Sequence, residues 1–223
     1  MLPDTMETQL LTAHNVQRDA ENIRAAAMSL LEGQVIAFPT ETVYGLGARA
    51  DSQEAVELLK RIKGRPEGKP FAILVPSVNE AGRLVGRISE RFERLAARFW
   101  PGPLTIVVPD GKGGTIGMRC PAHPVALELL RVAGVGISAP SANRSGKEPA
   151  KRAQEIYDEF AGEIAVVLDG GPSQIGQAST VVRLWDEGYS NIEKARNPAG
   201  EGWEIVRQGV VTADEIRAII GSG

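Results

Sequence analysis

The chain of 223 residues is 43% hydrophobic, enough to bury a full core, and its length favours one large domain over two small ones. Acidic residues outnumber basic ones by 28 to 25, which excludes a molecule-wide attraction for nucleic acid. A single cysteine, Cys120, excludes an intrachain disulfide and a cysteine-built zinc site. The first ten residues carry no basic or apolar run, and no segment reaches the roughly 18 apolar residues of a membrane span, so we expect a cytoplasmic protein without membrane contact.

Helical spacing and apolar runs alternate through the first half of the chain. A first helix, ending before Gly33, is predicted from an apolar face formed by Ile23, Ala27, Leu30 and Leu31. The run QVIAFP follows as a buried strand. Asp51, with Glu54 three residues later, predicts the start of a second helix, which ends in the basic loop KGRPEGKP. FAILV indicates the next strand, and Ser89 begins a helix that WPGP ends.

The second half continues the alternation. LTIVV, a segment ending at Ser138, IAVVLD, STVVRLW and WEIVRQG are predicted strands, with helices near 125–132, near 153–160 and after Thr212. Short apolar strands between helices predict an α/β fold with a twisted mixed sheet and helices packed on it. The polar, glycine-rich segment 186–202 breaks this pattern, and we expect a mobile loop there within a single domain over residues 1–223.

Nucleophilic catalysis receives little support from the residues. Ser138 and Ser141 follow a strand, but GISAP lacks the G-x-S-x-G spacing, and His14 and His123 are the only histidines. His123 precedes a proline, as at a helix entrance, and a lone Cys120 is typical of a small core residue. The sequence therefore contains no convincing catalytic triad.

The basic residues leave two interpretations open. The chain has no G-x-x-x-x-G-K-[ST] loop, so a nucleotide would be bound without one. At the end of the second predicted helix, Lys63 and Arg65 lie in a Gly/Pro-shaped loop, where phosphate binding and a solvated helix end are both open. A second set recurs at helical spacing: Arg83, Arg87, Arg91, Arg94 and Arg98. Glu90 and Glu93 interrupt it, which favours a charged solvated face over a nucleic-acid surface.

Three loops are rich in hydroxyl groups. Thr40, Glu41 and Thr42 follow the strand QVIAFP and are poor turn formers, SAPSANRSG follows another strand, and Ser179 begins a third. Together with Arg119 and the basic loop, they predict a polar pocket at the ends of strands, as in other α/β sheets. Its residue types suit a small polar ligand with phosphates.

The segments PTETVYGLGA, KGRP, WPGPLTIVV, TIGMRCPAHP, APSANRSG and ASTVV occur in this order between about Gln34 and Gly209. In combination they resemble the YrdC-like family of threonylcarbamoyl-AMP synthases. The resemblance implies the YrdC-like fold and a reaction in which L-threonine, bicarbonate and ATP give threonylcarbamoyl-adenylate and pyrophosphate. It implies that the product passes to the tRNA threonylcarbamoyl-transferase complex for t6A modification.

The resemblance also assigns residues. It implies that the threonine substrate is bound by Thr40, Arg119 and Ser179. It implies that ATP is bound by Lys63, Arg65, Thr115, Ser141, Asn143 and Arg207, with Lys63 and Arg65 neutralising the phosphates during catalysis. No enzyme nucleophile and no protein-built metal site are needed, and Mg²⁺ is expected with ATP. The chain departs from the family at Arg183, where many members carry Asp.

Two other functions stay open at this point. One is a carbamoyl-transfer module like that of hydrogenase-maturation proteins, although their zinc-finger-like cysteines are missing here. The other is a non-catalytic RNA-binding or ribosome-associated module, whereas the charge pattern predicts weak or no direct RNA binding.

Overall fold

Helices and strands alternate along the residues described by the computed structural model, which are 6–65, 70–185 and 202–221. In chain order they are β1 (Gln9–Thr12), α1 (Ala20–Leu31), β2 (Ile36–Phe38), β3 (Gly45–Arg49), α2 (Gln53–Lys63), β4 (Ile73–Leu74), α3 (Val78–Val85), α4 (Glu90–Phe99), β5 (Leu104–Pro109), β6 (Thr115–Arg119), α5 (Pro124–Ala133), β7 (Ile137–Ser138), α6 (Ala153–Phe160), β8 (Val166–Asp169), β9 (Thr180–Leu184), β10 (Trp203–Arg207) and α7 (Ala213–Ile220). The predicted α/β class is confirmed.

The strands of the described residues form one ten-stranded sheet in the order β1-β8-β2-β3-β7-β4-β6-β5-β9-β10. Neighbours are parallel at β1/β8, β2/β8, β4/β6 and β5/β9, and antiparallel at the other five junctions. This confirms the predicted mixed sheet. The short strands β7 and β4 join the half of the sheet formed by β1, β8, β2 and β3 to the half formed by β6, β5, β9 and β10.

Helices pack on the sheet in three clusters, two on opposite faces of one half of the sheet and one on a single face of the other half. Ile36 and Phe38 pack towards α1 and α5, whereas Ala37, between them, packs towards α2 and α6. This follows from the alternation of side chains along a strand. In the other half, one face of β5, β6 and β9 packs against α3, α4 and α7, with Ile106 and Val182 fully buried. The opposite face of these three strands is therefore available for a site.

The second helix begins one residue later than predicted. Ser52, and not Asp51, is the N-cap, because its Oγ accepts a hydrogen bond from Ala55 N at 3.2 Å. Asp51 instead accepts a hydrogen bond from Arg49 Nε at 2.7 Å. The helix ends at Gly64, whose φ of 66° is a left-handed conformation that favours glycine. The predicted caps at Ser89 and at Thr212, with its Glu215 capping box, are confirmed.

Four elements were not predicted: β1, β3, β6 and α3. Strand β3 was missed because its sequence, GLGAR, has the glycine content of a turn. At Gly47 a Cβ would lie 2.6 Å from the Phe38 ring and 2.9 Å from Ile137, so the packing of β3 requires glycine there. Of the predicted strand FAILV, only Ile73–Leu74 pairs in the sheet.

Two expectations lie wholly or largely beyond what the structure describes. Residues 186–201 of the predicted mobile loop fall outside the described residues, and the single-domain boundary 1–223 stays a prediction. Among the described residues, every helix is too short or too polar to cross a membrane.

Candidate functional site

A cavity of about 690 Å³ covers one face of the β4-β6-β5-β9 part of the sheet. Its walls come from the end of α2, the segment 70–74, the segment 139–141 and strand β10. The lining residues are Thr42, Val43, Lys63, Arg65, Pro70, Phe71, Ala72, Leu74, Thr105, Val107, Thr115, Gly117, Arg119, Ala139, Pro140, Ser141, Ala178, Ser179, Val181, Arg183, Val206 and Arg207. The predicted polar residues at strand ends, Thr42, Arg119, Ser141 and Ser179, do line the cavity, and residues within β5, β6 and β9 form its floor, which was not predicted.

The strand periodicity explains this floor. Thr105 and Val107 of β5 lie on the cavity side, and the intervening Ile106 is buried on the helix side. The same alternation selects alternate residues of β6 and β9. A lone threonine within the apolar run LTIVV is thus a sequence signal for a functional face, although Thr105 was not predicted as a site residue.

Lys63, the last residue of α2, holds the segment 141–143 in place. It is buried, and its Nζ donates to Ser141 O at 2.7 Å, Asn143 O at 2.9 Å and Asn143 Oδ1 at 3.1 Å. Burial, and then the nearby charge of Arg65, lower the pKa of Lys63 to about 8. Lys63 therefore brings a positive charge to the cavity wall while its donors fix the neighbouring loop.

Ser141 and Asn143 belong to one hydrogen-bonded loop, but they differ in their relation to the cavity. Ser141 lines the cavity, and its Oγ donates to Asn143 Oδ1 at 2.6 Å. The Asn143 amide donates at 2.8 Å to the carbonyls of both Arg144 and Lys147. Asn143 is absent from the described lining, so its place here is to support Ser141.

Arg65 follows the Gly64 cap and reaches the cavity from the loop side. Its guanidinium lies 4.8 Å from the centre of the Phe71 ring, and its Nη2 donates to Pro70 O at 3.0 Å. Burial lowers the pKa of Arg65, which nevertheless stays charged because an arginine loses its proton only at extreme pH. Its face-on contact with an aromatic ring fixes the direction of the guanidinium.

Arg119 is the last residue of β6, and the Nε–Nη2 edge of its guanidinium donates all the hydrogen bonds that hold it among the described residues. Its Nη2 donates to Glu41 Oε1 at 2.7 Å and to Thr42 Oγ1 at 2.9 Å, and its Nε donates to Gly102 O at 3.1 Å. All three bonds are buried. The geometry fixes this cation at one end of the cavity.

The hydroxyl groups of the PTET segment have a defined direction of donation. Thr40 Oγ1 lies 2.6 Å from Val43 O, and since a carbonyl only accepts, Thr40 is the donor. The 2.9 Å contact between Thr42 Oγ1 and Thr40 Oγ1 must then be donated by Thr42. Thr42 in turn accepts from Arg119 Nη2. Thr40 is buried outside the described lining, whereas Thr42, which was not predicted individually, lines the cavity.

Ser179 and Arg207 meet at the β9 end of the cavity. Arg207 Nη2 donates to Ser179 O at 2.9 Å and to Ser179 Oγ at 3.1 Å. Ser179 Oγ also lies 2.9 Å from Thr105 Oγ1. Burial lowers the pKa of Arg207, and the nearby charges of Arg119 and Arg65 lower it further. Arg207 thus lies close enough to Arg119 and Arg65 to be affected by their charges.

The structure brings most of the predicted site residues to one cavity: Lys63, Arg65, Thr115, Arg119, Ser141, Ser179 and Arg207. Arg183 also lines it, and its Nη1 donates to Glu204 Oε1 at 2.9 Å. Arg183, the residue at which the sequence departs from the family pattern, is thus held by an ion pair. The cavity combines several cations with hydroxyl groups, which suits an anionic ligand of polar character.

The nucleophile hypothesis is not supported. Burial raises the pKa of the Cys120 thiol to about 11, so it stays protonated at neutral pH, and its Sγ donates to Pro76 O at 3.5 Å. His123 Nδ1 accepts from Val125 N at 3.3 Å, which confirms the predicted helix entrance. Both residues are engaged in local structure.

The arginines of α3 and α4 are solvated, as the charge pattern predicted. Arg83 donates to Glu80 Oε1 across one helical turn, and Arg94 lies 3.9 Å from Glu90 Oε1. Both arginine side chains are more than half exposed. Interspersed acids leave no purely basic stripe on this surface.

The fold and the cavity define the class: an α/β protein with a cavity rich in cationic side chains over one face of its sheet. A comparison with known families then places it, because the family described as telomere recombination, comprising Sua5, YciO and YrdC, matches residues 28–195. This chain belongs to that family.

Threonylcarbamoyl-AMP synthases of other organisms are similar in sequence to this chain. The threonylcarbamoyl-AMP synthase of Pyrococcus abyssi is 40% identical over 210 residues, covering 89% of this chain and 57% of that protein. The Bacillus subtilis protein of the same name is 38% identical, covering 89% and 56%. This chain thus spans a little over half the length of these two relatives. A Mycobacterium tuberculosis relative is 32% identical over 96% of both chains.

Solved structures confirm the predicted fold. P. abyssi Sua5 in complex with L-threonine superimposes with a TM-score of 0.82 at 36% identity, covering 96% of this chain and 61% of that one. Escherichia coli YciO gives a TM-score of 0.76 at 25% identity, covering 95% and 99%. The YrdC-like fold predicted from the sequence is therefore confirmed.

Proposed function

We propose that this protein is an L-threonylcarbamoyladenylate synthase, a nucleotidyltransferase that converts L-threonine, bicarbonate and ATP to threonylcarbamoyl-AMP and pyrophosphate. One observation carries the proposal: a single cavity holds a buried arginine among hydroxyl groups and, on other walls, the cations Lys63, Arg65 and Arg207. The named relatives and the L-threonine complex of P. abyssi Sua5 support it.

L-Threonine would bind at the Arg119 end. Its carboxylate would pair with Arg119, and Ser179 would contribute a hydroxyl, with Thr40 acting through the bond that Thr42 donates to it. The Nη1 group of Arg119 takes no part in the three bonds that hold the guanidinium among the described residues. A charge-assisted bond from Nη1 is therefore available to an anion.

ATP would bind along the other walls. Arg65 and Arg207 would contact phosphate oxygens, Thr115 and Ser141 would contact the nucleotide, and Lys63 would add charge. Asn143 would act by holding Ser141. The described lining contains no carboxylate that could bind Mg²⁺, so an ion accompanying ATP would be held by phosphate oxygens and water.

The reaction needs no covalent enzyme intermediate. The neutral threonine amine adds to the carbon of bicarbonate with loss of water to give a carbamate, a carbamate oxygen attacks the α-phosphorus, and the bond to the pyrophosphate oxygen breaks. The side chains contribute by placing the two substrates together and by offsetting charge on the leaving pyrophosphate. This agrees with the absence of an activated nucleophile at Cys120 and His123.

Pyrophosphate release tests the proposal. Purified protein is expected to release pyrophosphate only when L-threonine, bicarbonate and ATP are all present, and L-threonine should be recovered as threonylcarbamoyl-AMP. ATP turnover without L-threonine would contradict the proposal. The product would then be passed to the tRNA threonylcarbamoyl-transferase complex for t6A modification, with weak or no direct RNA binding by this protein, which we propose to be cytoplasmic.

A further inference from the structure

Glu41 is a buried carboxylate at the Arg119 end of the cavity. Its side chain is 6% exposed, and its Oε1 accepts from Arg119 Nη2 at 2.7 Å. In the part of the chain that the structure describes, the other oxygen, Oε2, is buried without a hydrogen-bond partner. A buried, half-satisfied carboxylate costs stability, and a buried ion pair is weak evidence for a stabilising role. Its presence beside a ligand arginine points to a role in recognition.

The charges around the cavity are distributed unevenly. The described lining has five cations and no carboxylate: Lys63, Arg65, Arg119, Arg183 and Arg207. Glu41 stands behind Arg119 and Glu204 pairs with Arg183, whereas the groups that hold Lys63 and Arg207 are neutral oxygens. The charge of Arg119 is thus largely offset by a direct ion pair. Lys63 is affected by the Glu159 carboxylate only as the smallest of the influences on its pKa, and Arg207 is held by the neutral oxygens of Ser179.

A ligand on Nη1 of Arg119 is close to Glu41, because both nitrogens belong to one guanidinium. A ligand carboxylate there is attracted by Arg119 and repelled by Glu41. An ammonium group on the same ligand is attracted by Glu41. In a partly buried site, the repulsion of a ligand carboxylate by Glu41 and the attraction of a ligand ammonium to it are each large enough to change affinity about tenfold.

We propose that Glu41 is a specificity-determining residue that makes the Arg119 end select a zwitterionic amino acid over a simple anion. The same charge directs the polyphosphate of ATP towards Lys63 and Arg207. A repulsive element of this kind discriminates between ligands without contacting them. This inference rests on the proposed function, since it assigns the amino acid to the Arg119 end.

The test compares two ligands that differ in one group. 3-Hydroxybutyrate is L-threonine with hydrogen in place of the ammonium, and the dissociation constants of both are measured by calorimetry. We expect the wild type to prefer L-threonine by at least about tenfold, and Glu41→Gln to reduce that ratio by about tenfold. Glu21→Gln, an exposed acid paired with Arg24, changes the net charge equally and should leave the ratio unchanged.

An unchanged ratio in Glu41→Gln would overturn the inference. Because a ratio is compared, a general weakening of both ligands by altered packing does not imitate the result. If Glu41→Gln does not fold, the wild type decides: a preference for L-threonine below about tenfold overturns the inference, and a larger one supports it. Pyrophosphate release with an unchanged ratio refutes only the role of Glu41, whereas a wild type that neither binds L-threonine nor releases pyrophosphate refutes the proposed function with it.

Discussion

Arg119 and Arg94 each face a glutamate, but their surroundings give the two ion pairs different weights. Arg119 Nη2 lies 2.7 Å from Glu41 Oε1, with side chains 8% and 6% exposed, whereas Arg94 Nη1 lies 3.9 Å from Glu90 Oε1, with side chains 55% and 85% exposed. Exposed pairs contribute about 0–1 kcal/mol, while removing one partner of a buried pair costs about 3–5 kcal/mol. Burial, and not residue type, therefore distinguishes a ligand site from a solvated surface.

The largest effect is expected from Arg119→Ala. The Michaelis constant for L-threonine should rise about tenfold to a hundredfold, because a charge-assisted bond to a carboxylate contributes about 1.5–3 kcal/mol. The constant for ATP should change much less. Steady-state pyrophosphate release, with each substrate varied in turn, measures both, and equal losses for the two substrates would place Arg119 outside the amino-acid site.

Gly209→Ala should have the next largest effect, because it displaces the backbone that carries Ser179. A Cβ at Gly209 would lie 2.4 Å from Ala178 O and from Thr180 N. We expect the free energy of unfolding to fall by about 1–3 kcal/mol, as for other overpacked sites, with reduced activity. Urea denaturation checks this, and Gly113→Ala, where φ is 92° but the space is open, separates crowding from backbone strain. Equal losses in both variants would mean that crowding near Ser179 is not the cause.

Thr105→Val is expected to have a moderate effect on L-threonine and little on stability. The variant keeps the shape of the side chain but removes the hydroxyl that lies 2.9 Å from Ser179 Oγ. The Michaelis constant for L-threonine should rise about threefold to tenfold, since a neutral hydrogen bond contributes about 0.5–1.5 kcal/mol. Thr105→Ser keeps the hydroxyl and should restore wild-type kinetics. Identical kinetics in wild type and Thr105→Val would remove Thr105 from the site.

Lys63 should give a smaller, pH-dependent effect. Its pKa is about 8 in the folded protein, below the ordinary 10.5. Between these values the unfolded chain binds more protons at this residue, so its contribution makes the free energy of unfolding rise with pH across that window. The folded protein loses a cation above pH 8, so ATP affinity should weaken there by about threefold. Denaturation and ATP titrations at pH 7 and pH 9 isolate this contribution as the difference between the wild type and Lys63→Met, in which both trends should appear.

Arg94→Ala should have the smallest effect. An exposed pair at 3.9 Å predicts a change below about 1 kcal/mol in the free energy of unfolding, with unchanged kinetics. Denaturation and pyrophosphate release measure the two. A loss of activity comparable with that of Arg119→Ala would mean that exposure does not separate the two arginines.

Much of the fold could be predicted, because most elements satisfy one periodicity or one cap. The apolar face of α1 and the Ser89 and Thr212 caps are examples. Strand β3 could not be predicted, since its Gly47 is required by close packing against Phe38 and Ile137 and not by strand propensity. The residue at which a helix starts depends on which neighbouring side chain is free to cap it. In α2, Asp51 pairs with Arg49, and Ser52 is therefore the N-cap.

The sequence was sufficient to predict which residues form the site, but not how their side chains contact one another. Sequence reasoning selected Arg119 and Ser179, which line one cavity. It included Thr42 only as a member of the PTET loop and did not select Thr105, because the direction of a hydroxyl bond depends on strand register and on neighbours distant in sequence. It placed Glu41 and Arg119 in the same predicted pocket but did not predict that the two side chains, 78 residues apart along the chain, form an ion pair.

The most direct test of the central claim is pyrophosphate release titrated with L-threonine in the wild type, Arg119→Ala and Arg94→Ala, at saturating ATP and bicarbonate. We expect release that depends on L-threonine in the wild type, an unchanged curve for Arg94→Ala, and a curve shifted about tenfold or more to higher L-threonine for Arg119→Ala. Release that does not depend on L-threonine, or equal curves for the two arginine variants, would contradict the assignment of this cavity to an amino acid and ATP.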